Sequence, residues 1–327
     1  MRTIRWGMIG TGDVTEIKSA PALYSLPHSQ LIGVTNRTRA KADSWVQRHG
    51  HGTVFPDAAA LLADPRIDIV YIATPPGDHL ALTRQAAAAG KHVYVEKPMA
   101  LNSDECRAMQ EACDAAGVLL FVAYYRRTLP RFEQVRHWIE DGRIGTVCTV
   151  AVTQRMRPGI DERDPATLPW RLRADVSGGG KLLDVGTHVI DVCMHWFGPM
   201  TAVQGSATNR GGLYDVEDTV VATWTHDSGV TGTGSWCFVA EDEADRIEIV
   251  GTAGSIDLAA FSARPLRLTT AAGVEEVHIA DEQPVHQSLV ATIIAELNDA
   301  GRCPSTGVTA TATTLAVDAM LADFRRR

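Results

Sequence analysis

Asp184, His188, Asp191 and His195 follow one another at intervals of four, three and four residues, a spacing that places them on one face of a helix. A carboxylate one turn before an imidazole can bond one ring nitrogen, fix the tautomer and leave the other nitrogen for a substrate hydroxyl. Asp184 is thus the expected orienting group and His188 the expected general base, with His195 near the helix end read as terminus packing. The helix should span Leu182–Phe197. Gly186 inside it costs about 1 kcal/mol relative to alanine, which is read as room for a ligand or backbone. Gly178-Gly179-Gly180 reads as a flexible entry.

A second charged group ends the strand-like run His92-Val93-Tyr94-Val95-Glu96-Lys97-Pro98. The fixed φ of Pro98 pins the direction of Lys97. An ammonium held there can protonate, or hydrogen-bond to, the oxygen of a carbonyl being reduced. Tyr125, Arg126 and Arg171 are second-rank substrate contacts, with Tyr124, Arg127 and Trp170 beside them. Arginine would anchor a substrate oxygen and tyrosine would stack on a ring.

Hydride chemistry at these groups needs a cofactor, and the N-terminus carries the pattern for one. Gly10-Thr11-Gly12-Asp13-Val14-Thr15 follows the first apolar run and opens a helix. Its glycines allow a tight turn and close backbone approach to a pyrophosphate. Thr15 stands where a third glycine is usual. Roughly 20 residues beyond such glycines an NAD site places Asp or Glu on the ribose, but here the sequence is Asn36-Arg37-Thr38-Arg39. The arginines can meet a 2′-phosphate while Asn36 and Thr38 donate hydrogen bonds, so NADP(H) is preferred and NAD(H) is the alternative. Thr74-Pro75 and His79 follow the third apolar run, and Glu96 and Lys97 the fourth, on the sheet edge where open α/β folds bind ligands.

The elements that must hold these residues alternate in the first half. Strands are expected at Ile4–Ile9, Leu31–Thr35, Ile69–Ala73, His92–Val95 and Leu119–Ala123. Helices are expected at Thr38–His49, Ala58–Ala63, Leu80–Ala89 and Asp104–Ala116, the last capped by Asn102 with Glu105. Strands apolar at consecutive positions imply a doubly wound parallel sheet covered on both faces. After about residue 125 the pattern becomes alternating and threonine-rich, with strands at Thr146–Thr153, Ala202–Thr208, Thr219–Thr225, Val230–Cys237, Arg246–Val250 and Leu266–Thr270. Two helices, Ser288–Ala300 and Ala310–Phe324, close the chain. The expected architecture is an α/β Rossmann domain over 1–124 and, over 125–327, an α+β domain with a large, mostly antiparallel open sheet for substrate binding and oligomerisation.

A chain of 327 residues with a net charge of -8 suits two ordinary globular domains and argues against a general nucleic-acid surface. No apolar run is long enough for a membrane span, and the N-terminus runs straight into a strand, so a cytoplasmic protein without a membrane partner is expected. Six cysteines without a C-x-x-C pair read as reduced thiols, and no metal site is expected. Trp224 and Trp236 are expected to project from the second sheet onto a partner subunit, making a homo-oligomer such as a dimer. The basic Arg325-Arg326-Arg327 reads as a solvated tail.

Three stretches together resemble a known family: Gly10-x-Gly12, Ala73-Thr74-Pro75-Pro76-x-x-His79, and Gly90-Lys91-His92-Val93-Tyr94-Val95-Glu96-Lys97-Pro98. With Gly178-Gly179-Gly180-x-Leu182-x-Asp184-x-Gly186-x-His188-x-x-Asp191 and Gly251-Thr252-x-Gly254, they make nearly the whole chain similar to the glucose–fructose oxidoreductase / inositol dehydrogenase (Gfo/Idh/MocA) family. The resemblance implies a Rossmann domain followed by an α+β domain. It also implies pyridine-nucleotide-dependent oxidation or reduction of sugars, polyols or related cyclic hydroxy compounds. In many members the matching lysine, aspartate and histidine form the catalytic set, here Lys97, Asp184 and His188. A redox-neutral glycosidase using retained NAD, and a non-catalytic NAD(P)-binding sensor, are the alternatives on the same scaffold.

Overall fold

The computed structural model of the chain describes residues 1–326. It divides into two compact units, Met1–Leu129 with Glu282–Thr311, and Pro130–Asp281 with Ala312–Arg327. The boundary expected after residue 124 therefore falls after Leu129, and Glu282–Thr311 joins the first unit instead of the second. The physical reason is the apolar face of the helix Gln287–Glu296, whose Leu289, Val290, Ile293 and Ile294 share one core with Ile4, Trp6, Tyr71 and Tyr94.

The first unit holds six strands: β1 (Ile4–Ile9), β2 (Ser29–Thr35), β3 (Thr53–Val54), β4 (Ile69–Ile72), β5 (His92–Val95) and β6 (Leu120–Val122). They pair in the order β3-β2-β1-β4-β5-β6, all parallel. The order reverses between β1 and β4, and sheets of this kind bind ligands beyond the carboxyl ends of their strands at that point. Side chains alternate between two cores. Val70, Ile72, Val93 and Val95 join Leu61, Ala86 and Met109 on one face, whereas Tyr71, Tyr94 and Phe121 join Trp45 on the other. Burial on both faces explains the consecutive apolar positions. β3, with two residues, is too short to leave a periodic signal.

Local chemistry sets the helix ends. Pro21 does shorten the first helix, which covers Val14–Ile17 and gives way to a second turn at Ala22–Ser25. Asn102 Oδ1 accepts the Glu105 N–H at 3.0 Å and Glu105 Oε2 accepts the Leu101 N–H at 3.1 Å, a reciprocal cap for Ser103–Ala116. The returning segment covers the open edge of β6: Ser305 Oγ donates to Val122 O at 2.7 Å, and Arg127 donates to Pro304 O at 2.7 Å. An edge left bare would be a template for unwanted pairing.

The second unit is built on β7 (Val147–Arg155), β8 (Met200–Thr208), β9 (Thr219–His226), β10 (Thr231–Cys237), β11 (Ala244–Gly251), β12 (Gly254–Leu258), β13 (Leu266–Thr270) and β14 (Gly273–Val277). Their order is β14-β13-β12-β11-β7-β10-β9-β8, antiparallel apart from the parallel pair of β7 with β10. Val150, Val152, Ile247, Ile249 and Ile256 are buried on one face, while Thr149, Thr223, Thr233 and Ser235 are exposed. Trp224 and Trp236 do not project outward as expected: they are 3% and 0% exposed. Gly232 and Gly234 make the space, since a Cβ at either would fall 2.1 Å from the indole of Trp224 or Trp236 respectively.

The closing helices are Gln287–Glu296 and Gly307–Arg325. Arg325 pairs with Asp318 at 2.5 Å and donates to Gly178 O at 2.9 Å, and Arg326 pairs with Asp323. These two arginines are engaged, and Arg327 of the expected solvated tail lies outside the described residues. Among the described residues no helix is long and apolar enough to cross a membrane.

Candidate active site

The glycine turn leaves β1 in a conformation that side chains resist. Gly10 has φ +99°, and a Cβ there would lie 2.5 Å from Ala73 O, so the turn can press against the end of β4 through glycine alone. A Cβ at Gly12 would meet nothing within 4 Å, leaving an open backbone cradle. Thr15 explains the departure from the three-glycine pattern: it is fully buried and its Oγ1 donates to Gly12 O at 2.7 Å, tying the turn to the one-turn helix that Val14 begins.

A cavity of about 430 Å³ opens beside this turn, lined by Thr11, Gly12, Asp13, Glu16, Lys41, Ser44 and Arg48 among others. Asn36 crosses to the turn, donating from Nδ2 to Thr11 Oγ1 at 2.9 Å, while its Oδ1 accepts the Thr38 N–H at 2.9 Å. Arg37 and Thr38 are exposed, and Arg39 pairs with Asp43 at 3.6 Å. Lys41, Ser44 and Arg48 were not singled out in the sequence, although spacings of three and four put them on one helix face. The Glu16 carboxylate is held by Arg48 at 2.6 Å and His49 at 2.9 Å.

At the end of β4, Thr74 Oγ1 is buried without a hydrogen-bond partner, and Pro75 is extended at the start of the short turn Pro76–Asp78. An unpartnered hydroxyl here, an open glycine cradle and an adjacent cavity fit a dinucleotide at the carboxyl edge of the sheet. His79 takes a different place from the one expected. It is fully buried, with Nδ1 3.1 Å from Met99 O and Nε2 2.8 Å from Thr74 O. Burial lowers its pKa, and it joins the loop after β4 to the loop after β5.

Beyond β5, Glu96 turns inward instead of toward solvent. Its Oε1 accepts the Tyr71 hydroxyl at 2.5 Å and its Oε2 accepts the Lys97 backbone N–H at 3.2 Å. Lys97 is partly exposed and is joined to Pro98 by a cis peptide bond. Also in this unit, Arg126 donates to the Tyr125 hydroxyl at 3.1 Å and lies 5.1 Å from the centre of that ring. Tyr124 and Arg127 are buried.

In the second unit the expected continuous helix begins with a π turn, Leu182–Gly186, and becomes α-helical at Thr187–Phe197. The Thr187 N–H reaches back to Leu182 O, widening the turn that carries Asp184; single π turns recur at functional sites. Gly186 serves packing and not ligand approach: a Cβ would meet Leu182 at 2.7 Å and the Trp236 indole nitrogen at 3.5 Å. Gly180 likewise is pressed on Glu217, whose backbone oxygen would be 2.4 Å from a Cβ. The glycine run is a close fit, not a flexible entry.

Asp184 Oδ2 lies 3.4 Å from Arg171 Nε, and the Arg171 guanidinium stacks 4.6 Å from the centre of Trp170. His188 is 5% exposed, with its ring edge-on to Phe261 at 5.9 Å. Lys181 and Glu162, both nearly buried, pair at 2.7 Å and join the loop bearing Arg171 to the π turn. Asp191 is fully buried and accepts from Thr313 at 3.0 Å, while His195 lies 3.7 Å from Glu133. The one-face stripe thus divides: Asp191 and His195 are anchored within the unit.

Residues 4–124 match the oxidoreductase family with an NAD-binding Rossmann fold, and residues 132–257 match the Gfo/Idh/MocA C-terminal domain. An oxidoreductase from Formosa agariphila is 33% identical over 88% of this chain and 88% of its own length. The chain belongs to the Gfo/Idh/MocA family. The levoglucosan dehydrogenase of Pseudarthrobacter phenanthrenivorans is 30% identical over 78% of this chain and 73% of its own. Among solved structures, a levoglucosan dehydrogenase in complex with NADH and levoglucosan has a TM-score of 0.86 at 24% identity, covering 99% of this chain and 97% of that one. The aldose-aldose oxidoreductase from Caulobacter crescentus, complexed with glycerol, has a TM-score of 0.86 at 22% identity, covering 99% and 98%. At these identities the structures speak for the fold. As a Gfo/Idh/MocA protein the chain is a nicotinamide-dependent oxidoreductase with an NAD-binding Rossmann domain.

Proposed function

We propose that this oxidoreductase interconverts a hydroxyl and a carbonyl on a sugar, polyol or related cyclic hydroxy compound, with Lys97, Asp184 and His188 as the catalytic set. The observation that carries the reading is Asp184, held at 3.4 Å by Arg171 one turn before His188, in a chain 30% identical to a levoglucosan dehydrogenase. The bound dinucleotide supplies or accepts the hydride. In oxidation His188 takes the hydroxyl proton, Asp184 keeps its imidazole oriented, and the Lys97 ammonium stabilises the alkoxide oxygen. In reduction the same groups run in reverse, with His188 returning the proton. Tyr125, Arg126 and Arg171 bind substrate oxygens or stack on its ring.

NADP(H) is the preferred cofactor in this proposal. Supporting it are the carboxylate-free end of β2 at Asn36-Arg37-Thr38 and the Lys41 ammonium on the wall of the cavity beside Gly12. The turn Gly10–Val14, the Thr74-Pro75 loop and Glu96-Lys97 hold the dinucleotide, and the first unit is the cofactor domain. The open threonine-rich sheet face of the second unit supports a homo-oligomer, with a second copy packed on it. Six cysteines scattered without a C-x-x-C pair fit a reducing compartment, the cytoplasm.

The test is a panel of sugars, polyols and cyclic diols with NAD and NADP, followed at the reduced-nicotinamide absorbance. Turnover of at least one ring compound is expected, faster with NADP. Absence of turnover across the panel, or a strong NAD preference, overturns the corresponding part.

A further inference from the structure

The segment Glu282–Thr311 brings a histidine into the first unit that the proposed chemistry has not used. His286 is fully buried at the start of the helix Gln287–Glu296, and its backbone N–H donates to Lys18 O at 3.2 Å. Its Nδ1 lies 2.8 Å from the Tyr94 hydroxyl and its Nε2 3.8 Å from Glu96 Oε1. The Tyr125 ring packs against it at 4.8 Å. Glu96 holds the Lys97 backbone N–H with its other oxygen. A line of side chains thus runs from Tyr94 through His286 and Glu96 to the peptide nitrogen of Lys97, with Tyr71 entering at Glu96 from β4.

The protonation states follow from the surroundings. Burial, then the Lys18, Lys97 and Arg126 cations, pushes the His286 pKa down to about 3, so its ring is neutral at working pH and carries one N–H. If the Tyr94 hydroxyl donates to Nδ1, that N–H sits on Nε2 and faces the Glu96 carboxylate. The other tautomer would turn an imidazole lone pair toward a carboxylate oxygen at a fully buried position, at greater cost. Glu96 thus accepts from the Tyr71 hydroxyl and the Lys97 backbone, and the His286 Nε2–H faces it from 3.8 Å, packed against it beyond hydrogen-bond distance. The two hydrogen bonds and the packed imidazole fix the carboxylate in place.

We propose that His286 is a positioning residue for Lys97, acting through Glu96: the imidazole wedged between Tyr94 and Glu96 keeps the carboxylate seated on the Lys97 backbone and so holds the ammonium's aim. This rests on the catalytic role proposed for Lys97.

The experiment compares kcat, KM, dinucleotide affinity and melting temperature for His286→Leu, His286→Gln, Tyr71→Phe, the double variant Tyr71→Phe/His286→Leu, and Lys97→Ala. His286→Leu is expected to lower kcat about tenfold while leaving KM and dinucleotide affinity within about twofold of wild type. His286→Gln, whose amide can donate to Glu96 and accept from Tyr94, should restore most of the rate. The double variant should lose less than the product of its single variants, because both act on Glu96. An unchanged kcat in His286→Leu, no rescue by glutamine, or strict additivity overturns the proposal. Should His286→Leu fail to fold, Tyr71→Phe decides through the same carboxylate: a kcat loss at constant KM supports the proposal and an unaltered kcat ends it. Wild-type turnover in Lys97→Ala would instead remove the catalytic role of Lys97 itself, a failure the other variants do not mimic.

Discussion

Arg171 Nε stands 3.4 Å from Asp184 Oδ2, with the Arg171 side chain 47% exposed and that of Asp184 23%. An ion pair this wet contributes little to stability, about 1 kcal/mol at most. Its position is what counts, since it meets the carboxylate proposed to orient His188. Arg171→Ala is therefore expected to leave the melting temperature nearly unchanged and to lower kcat roughly tenfold, with Arg171→Lys recovering part of the rate. Equal losses of stability and rate would show a structural role alone.

Lys97→Ala and His188→Ala should each remove most turnover, on the order of a hundredfold or more for a general acid or base. Both should still bind the dinucleotide, because the glycine turn and the cavity beside Gly12 are built from other residues. Titration of NADPH fluorescence against steady-state rates separates the two effects. Near-wild-type rates in both variants would defeat the catalytic assignment.

Arg37 and Lys41 provide the cofactor test. Replacing either by alanine should weaken NADP(H) by about tenfold, the size of one charge-assisted hydrogen bond, while leaving NAD(H) affinity nearly unaltered. Parallel binding titrations with both dinucleotides measure this, and equal effects on the two would show that neither residue meets a 2′-phosphate.

Glu217 sets a pH dependence of stability in the second unit. Burial, only partly offset by the Gly180 N–H at 2.9 Å, pushes its carboxyl from the usual 4.5 up to about 7. The folded protein then keeps this proton at pH values where the unfolded chain has lost it. Stability from this group is complete below about 4.5, falls as pH rises, and is lost above about 7. The span corresponds to roughly 3 kcal/mol. Glu217→Gln should flatten that loss, so the stability of variant relative to wild type rises between pH 5 and pH 8 in melting experiments. A constant difference across that range would contradict the shift.

Much of the molecule is legible in the amino-acid order because its determinants are local. Runs such as His92–Val95 and Ile69–Ile72 declare a doubly covered parallel sheet through consecutive apolar residues, and the Gly10–Gly12 turn declares its ligand edge through the backbone freedom of glycine. Lys97, Asp184 and His188 stand out for the same reason: their neighbours in sequence, Glu96 and Pro98 or the helical spacing of four, are part of the signal. Tertiary structure alone decided the rest. Trp224 and Trp236 have room to lie inward because Gly232, across the sheet from Trp224, and Gly234, two residues before Trp236 on its own strand, carry no Cβ, which alternation by itself cannot reveal. The π turn at Leu182–Gly186 breaks a helix whose sequence pattern is continuous. His286 reaches Tyr94 from 192 residues away, because the apolar face of its helix is buried in the core of the first unit. Local pattern records which face of an element wants burial; which distant element satisfies it is settled only when the chain packs.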